Sequence, residues 1–360
     1  MNKSMEPQIK VLVVDDSPVA RELIIHILSS DPGIQVIGTA INGEDAIEAT
    51  KHLSPDVITM DIHMPKMDGC EATRWIMETH PTPIVIVTGS PGANEVSGAM
   101  QVIEAGALAV VKKPTVSSHP DDQADVFGFI QTVKLMSEVK VVRRRAFPRR
   151  EIVQPAQVEL ERASEIQVVA IGASTGGPPV LQTILSKLPG NFPVPVLIVQ
   201  HMAAGFIDGF VEWLGQTSSM PVRAATHGES LLPGHVYIAP DGFQMKPDRY
   251  GRISLARGET KNGLCPSVSY LFRSVADIFG KNAVGILLTG MGKDGAEELR
   301  LMKEKGAITI AQDKESSVVH GMPGEAINLD AAMYVLAPEK IAAVLSGLVN
   351  NKLKMRVVNL

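Results

Sequence analysis

The stretch Ile9-Lys-Val-Leu-Val-Val-Asp-Asp-Ser17 decides the architecture: an apolar run with little alternation, closed by two carboxylates and a hydroxyl. A strand covered on both faces reads as such a run, whereas a half-exposed strand alternates. Directly after it, Val19 to Leu28 changes to helical spacing. Working outward, Val36 to Ala40, Val57 to Met60, Ile84 to Thr88 and Leu108 to Val111 repeat the strand pattern. Gly43 to His52, Gly69 to Glu78, Asn94 to Ala105 and the amphipathic Phe127 to Lys140 supply the helices. This alternation predicts an α/β domain with a five-stranded parallel sheet of flavodoxin-like kind.

In such a sheet, ligands gather beyond the carboxyl ends of the strands. Asp15 and Asp16 close the first strand, Asp61 the third and Thr88 the fourth, and Lys113 follows the fifth. Clustered carboxylates repel unless a cation joins them. An all-oxygen set of this kind suits Mg2+, which binds through few carboxylates plus phosphate. A metal held beside one carboxylate stabilises phosphoryl transfer onto it, with a lysine neutralising another oxygen. Alternation from Val111 and the position before Pro114 favour Lys113 over Lys112 for that lysine. Asp68, in Asp68-Gly69, reads as a structural turn residue leading into the next helix. From Met5 to about Lys134 the chain resembles the response-regulator receiver family. The matching segments are Val11-Leu-Val-Val-Asp-Asp-Ser17, Asp61-Ile-His-Met-Pro-Lys-Met-Asp-Gly69, Thr88-Gly89 and Lys112-Lys-Pro114. The resemblance implies Asp61 as phosphoacceptor, Asp15, Asp16 and Asp61 as the Mg2+ site, Thr88 as switch hydroxyl and Lys113 as phosphate-contacting lysine.

The register then breaks. Arg143, Arg144, Arg145, Arg149 and Arg150 crowd together, followed by Pro155, Glu159, Glu161 and Glu165. This polar stretch reads as a linker, residues 135–165, between domains at 5–134 and 166–350. No aromatic interleaving or DNA-binding motif accompanies the arginines, so a solvated connector is expected rather than a nucleic-acid site. A chain of 360 residues with 45% hydrophobic and 20% charged residues suits two globular domains. Its net charge of -5 gives no global pull toward nucleic acid or an anionic membrane. Cys70 and Cys265, the only cysteines, form neither a disulfide framework nor a spaced metal-binding pair. Met1 to Lys10 lacks the apolar stretch of a signal peptide, and no run approaches the roughly 18 apolar residues of a membrane span. A cytoplasmic protein without direct membrane insertion is expected.

A second α/β pattern begins at Ile166 and predicts a mostly parallel, Rossmann-like sheet. Ile166 to Ile171, Val194 to Gln200, Val236 to Ile238, Val284 to Leu288 and Ala307 to Ala311 read as strands. Pro178 to Leu188, Ile207 to Leu214, Val268 to Phe279, Gly295 to Lys305 and Glu339 to Val349 read as helices, and Tyr250 to Leu255 as a small antiparallel insertion. Gly172-Ala-Ser-Thr-Gly-Gly-Pro178 lies between strand and helix and exposes Ser174 where helix amides receive developing negative charge. The segment fits a G-x-S-x-G turn, whereas G-x-G-x-x-G spacing and the lysine of a P-loop are absent. A nucleophilic serine needs a base, and the strand ending at Gln200 delivers His201. Ile286-Leu-Leu-Thr-Gly-Met-Gly-Lys-Asp-Gly295 brings Asp294 to the start of a helix, where it is placed to orient that histidine. The order serine, histidine, acid differs from the serine, acid, histidine of ordinary α/β hydrolases, so another topology is expected.

Residues 166 to 350 resemble the catalytic domain of the chemotaxis protein-glutamate methylesterase family, CheB. The matching blocks are Ile171-Gly-Ala-Ser-Thr-Gly-Gly177, Gln200-His-Met202, Gly234-His-Val-Tyr-Ile-Ala-Pro240, Leu288-Thr-Gly-Met-Gly-Lys-Asp-Gly295 and Gly321-Met-Pro323. The resemblance implies Ser174 as nucleophile, His201 as base and Asp294 as orienting acid. It further implies the Met291 amide at the oxyanion site, with Thr175 beside it. The implied substrates are glutamate methyl esters, and also glutamines, of methyl-accepting chemoreceptors. Ester hydrolysis would need no cofactor, a histidine kinase of CheA type would phosphorylate the receiver, and phosphorylation would relieve its restraint on the esterase. Gln244 stands where the family often has histidine and Ser269 where aspartate is common, changes expected to alter substrate contacts or surrounding hydrogen bonds. His227, His235 and His320 are expected to be structural. Two other readings are a related hydrolase serving a pathway other than motility, and a phosphorylation-dependent binding module without catalysis.

Overall fold

The computed structural model describes residues 8–89, 93–114, 120–139, 141, 166–258 and 263–347. The chain divides into two compact units, Met1–Arg149 and Arg150–Leu360. Each has its own parallel sheet.

The first unit runs β1 (Ile9–Val14), α1 (Pro18–Ser29), β2 (Ile34–Ala40), α2 (Gly43–Leu53), β3 (Val57–Met60), α3 (Gly69–Thr79), β4 (Ile84–Thr88), α4 (Ala93–Ala105), β5 (Ala109–Lys112) and α5 (Pro120–Ser137). Its five strands lie in the order β2-β1-β3-β4-β5, all pairs parallel. Val11 to Val14 and Ile84 to Val87 are buried throughout, which is why neither run shows alternation. The helices start where the side chains say they should. Ser17, Asn42 and Asp68 cap α1, α2 and α3 by accepting the amides of Ala20, Asp45 and Glu71. Register then does the positioning. Val14 pairs with Met60, so Asp15 and Asp61 leave adjacent strands at one level. Thr88 pairs with Lys112, and the Lys113 amide donates to the Thr88 carbonyl at 2.7 Å. Helix α5 begins earlier than its apolar periodicity indicates, because its first turn is polar, and it ends at Ser137 rather than Lys140. The arginine run and the acidic stretch after it lie outside the described residues.

The second unit contains β6 (Val168–Ala173), α6 (Gly177–Leu185), β7 (Val196–Gln200), α7 (Ile207–Thr217), β8 (Val222–Ala224), β9 (Val236–Ile238), β10 (Phe243–Pro247), β11 (Ile253–Arg257), α8 (Val268–Phe279), β12 (Ala283–Leu287), α9 (Ala296–Glu304), β13 (Ile308–Gln312), α10 (Met322–Asn328), β14 (Tyr334–Leu336) and α11 (Pro338–Gly347). Its seven-stranded sheet has the order β14-β13-β12-β6-β7-β9-β8 and is parallel throughout. The chain starts at the centre with β6, builds toward β8 on one side and then toward β14 on the other, so its direction of growth reverses between β6 and β12. Such a reversal opens a crevice at the strand carboxyl ends.

The expected insertion is a full antiparallel hairpin, β10 with β11, in which Phe243 pairs with Arg257 and Pro247 with Ile253. Tyr250 belongs to its turn rather than to a strand. Edge strands β8 and β14 and helix α10 carry too few residues to show a period. Tyr237, Phe272, Leu271 and Val268 are fully buried in the core that joins α8 to the sheet. Val268 fills the space in which both Gly172 and Gly295 would place a Cβ, so the start of α8 closes against the end of β6 and the loop before α9. Gly295 also adopts a φ of +85°, a left-handed conformation that favours glycine.

Candidate functional site

Ser174, His201 and Thr289 follow three neighbouring strands of the second sheet. Ala173 pairs with Gln200, and the His201 amide donates to the Ala173 carbonyl at 2.9 Å. On the other side, the Ser174 amide donates to the Thr289 carbonyl at 3.0 Å. These bonds continue the sheet ladder by one residue and hold Ser174 between its two neighbours. Gln200, buried at the end of β7, ties the same groups together: its Nε2 donates to the carbonyls of Ser174 at 2.8 Å and His201 at 2.9 Å. Thr289 is buried as well, and its hydroxyl donates to the Thr175 carbonyl at 3.0 Å.

His201 Nε2 lies 3.0 Å from Asp294 Oδ2. A carboxylate only accepts, so Nε2 carries the proton and Nδ1 is the basic nitrogen of the neutral ring. Asp294 is 5% exposed, and a buried carboxylate needs full satisfaction. It gets this from the start of α8. The Val268 amide donates to Oδ2 at 2.7 Å, while the Ser267 hydroxyl and the Ser269 amide donate to Oδ1 at 3.0 and 3.1 Å. Burial opposes ionisation of this carboxyl. The hydrogen bonds from His201 and Ser269, with the charge His201 carries when protonated, prevail and lower its pKa to about 2.

Ser174 is half-buried, and among the described residues its hydroxyl makes no hydrogen bond to His201. Serine–histidine bonds in free enzymes are often long and tighten on substrate binding. The Met291 amide donates to no group among the described residues, and its side chain is exposed. A donor in that state is available to an incoming oxygen. Thr175 contributes its carbonyl to the Thr289 bond.

The two departures from the family pattern act in the framework. Gln244 is buried; its Nε2 donates to the Leu264 carbonyl at 2.6 Å and its Oε1 accepts the Ser267 amide at 2.9 Å. The Ser269 hydroxyl accepts the Gly295 amide at 2.9 Å. Both therefore set the segment that presents Ser267 and Ser269 to Asp294. His227 Nδ1 bonds the backbone of Leu255, His235 stacks on Tyr237, and His320 contacts Ser317 with its pKa lowered by burial and by Lys314. The sequence assigned no role to Gln200, Thr289 or Ser267. A polar residue ending an apolar strand and a serine just before an apolar helix were the signals available.

In the first unit, Asp15, Asp16 and Asp61 bring carboxylate oxygens within 4.8 Å of one another, with Asp15 and Asp61 buried and Asp16 exposed. Lys113 Nζ lies 2.8 Å from Asp15 Oδ2 and 2.8 Å from Asp61 Oδ2, whereas Lys112 is exposed. The Asp61 pKa is raised, by burial first and by the Asp15 charge, against the lowering effect of Lys113 and the Ile62 amide. Asp15 Oδ2 is a buried carboxylate oxygen whose ion pair with Lys113 lacks hydrogen-bond geometry. With the other acidic oxygens beside it, it fits a hard divalent cation. Thr88 is buried at the end of β4, and Asp68 is the cap of α3, bonded to the Glu71 amide at 2.8 Å.

Comparison with known proteins agrees with this division. Residues 169–345 match the family model described as CheB methylesterase, and residues 11–119 that of the response regulator receiver domain. A protein-glutamate methylesterase/protein-glutamine glutaminase of Nitrosospira multiformis is 59% identical over 344 residues, covering 95% of this chain and 97% of the relative. One from Syntrophus aciditrophicus is 57% identical over 341 residues, covering 94% and 97%. Among solved structures, the Thermotoga maritima CheB methylesterase catalytic domain matches 51% of this chain and 98% of its own, with 39% identity and a TM-score of 0.49.

Proposed function

The chain belongs to the CheB methylesterase family, with a receiver domain ahead of the esterase, and acts as a protein-glutamate methylesterase/glutaminase on chemoreceptors; on that premise we propose that Ser174, His201 and Asp294 carry the reaction and Asp61 carries its control. The bond from His201 Nε2 to a fully satisfied Asp294 is the observation that supports this most.

In this reading Ser174 Oγ attacks the ester carbonyl while His201 Nδ1 takes its proton. Asp294 holds the ring by its Nε2–H and stabilises the imidazolium that forms. The Met291 amide, with Thr175 beside it, faces the oxygen on which negative charge develops. Collapse of the tetrahedral intermediate breaks the bond to methoxide, which leaves as methanol with the proton from His201. Water, deprotonated in turn by His201, then attacks the acyl-enzyme and releases the glutamate carboxylate and Ser174. A glutamine side chain follows the same course with ammonia as leaving group.

The receiver homology favours Mg2+-dependent phosphorylation, and Asp15, Asp16 and Asp61 are the residues that would hold the ion. When bound, Mg2+ supplies positive charge to a transferring phosphoryl group. Lys113 is placed to neutralise a phosphoryl oxygen on Asp61, and Thr88 to respond to it as the switch hydroxyl. Family membership implies methyl-accepting chemoreceptors and a CheA-type histidine kinase as partners. The proposed division is a receiver at 5–134, a linker at 135–165 and a catalytic domain at 166–350, with the last receiver helix reaching Ser137, three residues into that linker. The test is methanol release from methylated receptor by the full chain, with and without a receiver phosphodonor. Phosphodonor should accelerate release and Asp61→Asn abolish that acceleration. Ser174→Ala should abolish release altogether, and unchanged hydrolysis in that variant would remove Ser174 as the nucleophile.

A further inference from the structure

Gly321-Met-Pro323 has no reactive side chain, yet its backbone closes directly on the loop that carries Met291. The amides of Gly321 and Met322 both donate to the Gly290 carbonyl, at 3.1 and 2.9 Å, and the Gly290 amide donates to the Val319 carbonyl at 2.9 Å. Gly290 is thus held from both of its backbone polar groups. In a trans peptide the carbonyl and the following N–H point in opposite directions. With the Gly290 carbonyl turned to residues 321 and 322, the Met291 N–H leaves the other way. A Cβ on Gly290 would lie 2.6 Å from Ser174 Cβ and 3.2 Å from the Ser174 nitrogen, so Ser174 is an immediate neighbour of that peptide. Two donors on the carbonyl also polarise the peptide and strengthen its N–H as a donor.

Gly321 itself has φ -79° and ψ -72°, so its own backbone does not demand glycine. The demand comes from across the gap. A Cβ at 321 would lie 2.7 Å from the Gly290 carbonyl oxygen, 3.0 Å from the Gly292 nitrogen and 3.1 Å from the Gly292 oxygen. All three are backbone atoms, and no rotamer change can relieve the contact.

We propose that Gly321 is a positioning residue for ester hydrolysis, keeping the space in which the Gly290 carbonyl seats and thereby aiming the Met291 amide at the oxyanion. The inference rests on the reading of Ser174 as nucleophile and the Met291 amide as oxyanion donor. A side chain at 321 shifts the Gly290–Gly292 segment by tenths of an ångström. Misplacement of a catalytic donor weakens transition-state binding far more than ground-state binding.

The test uses the full chain with methylated receptor and compares Gly321→Ala with Gly215→Ala, a site where a Cβ meets nothing within 4 Å. Gly321→Ala should lower kcat by roughly 10- to 100-fold with KM within about twofold, against removal of a whole oxyanion donor at about 10²- to 10³-fold. Gly215→Ala should leave both constants unchanged. A Gly321→Ala enzyme that folds and keeps the parental kcat overturns the inference. So does one whose loss lies wholly in KM. If Gly321→Ala does not fold, amide hydrogen exchange on the unaltered chain decides. Protected Gly321 and Met322 amides, with a Met291 amide that becomes protected only in a phosphonate adduct of Ser174, support it. Unprotected amides at 321 and 322, or a Met291 amide that the adduct leaves unchanged, overturn it. Activity surviving in Ser174→Ala would instead strike the underlying catalytic reading, so the two failures are separable.

Discussion

Replacing Asp294 by asparagine probes structure and chemistry at once. The carboxylate accepts two donors on each oxygen: Ser267 Oγ and the Ser269 amide on Oδ1, the Val268 amide and His201 Nε2 on Oδ2. An asparagine keeps one accepting oxygen and turns an NH2 group against two of those donors, whichever way the amide is placed. With NH2 toward Oδ1's partners, α8 loses its satisfied start. With NH2 toward His201, the ring must present an acceptor at Nε2 and carry its proton on Nδ1, the nitrogen needed as base. The first arrangement is a folding cost; the second is a catalytic one and also sets the NH2 against the Val268 amide. A carboxyl at about 2 in the folded chain against 3.8 for the unfolded group corresponds to roughly 2 kcal/mol of stability by linkage. Its sign follows from the direction. Because the folded value is depressed, the stabilisation is complete above the unfolded value and is lost as pH falls toward the folded one. Asparagine carries none of it at any pH.

Asp294→Asn should therefore destabilise the full chain by about 2 kcal/mol at neutral pH, read as a lower urea midpoint for the cooperative unit containing residue 294. The gap to the parent should narrow as pH is taken from about 4 toward 2. Methanol release should fall by as much as about 10⁴-fold in kcat, the magnitude that loss of the correct tautomer produces in serine-protease triads. A variant with kcat within about tenfold of the parent would refute Asp294 as the orienting acid. Unchanged urea midpoints at neutral pH would refute the account of how the carboxylate is held.

Three further outcomes follow from the same geometry. Gln244→Leu removes the bonds to the Leu264 carbonyl and the Ser267 amide from a buried site, and should cost about 2–4 kcal/mol in chemical denaturation. Gly69→Ala would drive a Cβ into the Asp61 carbonyl oxygen, so it should destabilise the receiver by about 1–3 kcal/mol and slow acetyl-phosphate labelling of Asp61. Labelling at the parental rate would show that the Asp61 loop tolerates displacement. Removing Mg2+ with excess EDTA should stop phosphodonor labelling but leave basal methanol release unchanged, because the serine mechanism asks nothing of a metal. A loss of basal release on chelation would contradict that separation.

Much of the architecture was legible because buried parallel strands announce themselves as apolar runs ending in polar residues. β1 ends at Val14 before Asp15, β3 at Met60 before Asp61, and β7 at Gln200 before His201, all visible in one dimension. Short edge strands such as Val222–Ala224 and Tyr334–Leu336 carry three residues each, too few for a period to emerge, and they gain their identity from the neighbour they pair with. The support of the candidate site was hidden for a related reason. Ser267 is the cap of α8, accepting the Tyr270 amide. Its second bond, to Asp294, depends on how α8 lies against the loop before α9, which only tertiary packing determines. Gln200 likewise reads as the residue before a histidine until the strand register brings the Ser174 carbonyl to its amide.

The placement of Ser174, His201 and Asp294 after β6, β7 and β12 also bears on how the protein is made. Strands β6 and β7 leave the ribosome before β12, its loop and the α10 segment whose amides hold Gly290. A nascent chain therefore carries the serine and the histidine for a long interval without the acid. If the three act as proposed, ester hydrolysis has to await the segment that carries Asp294, after the sheet has begun to grow in its second direction.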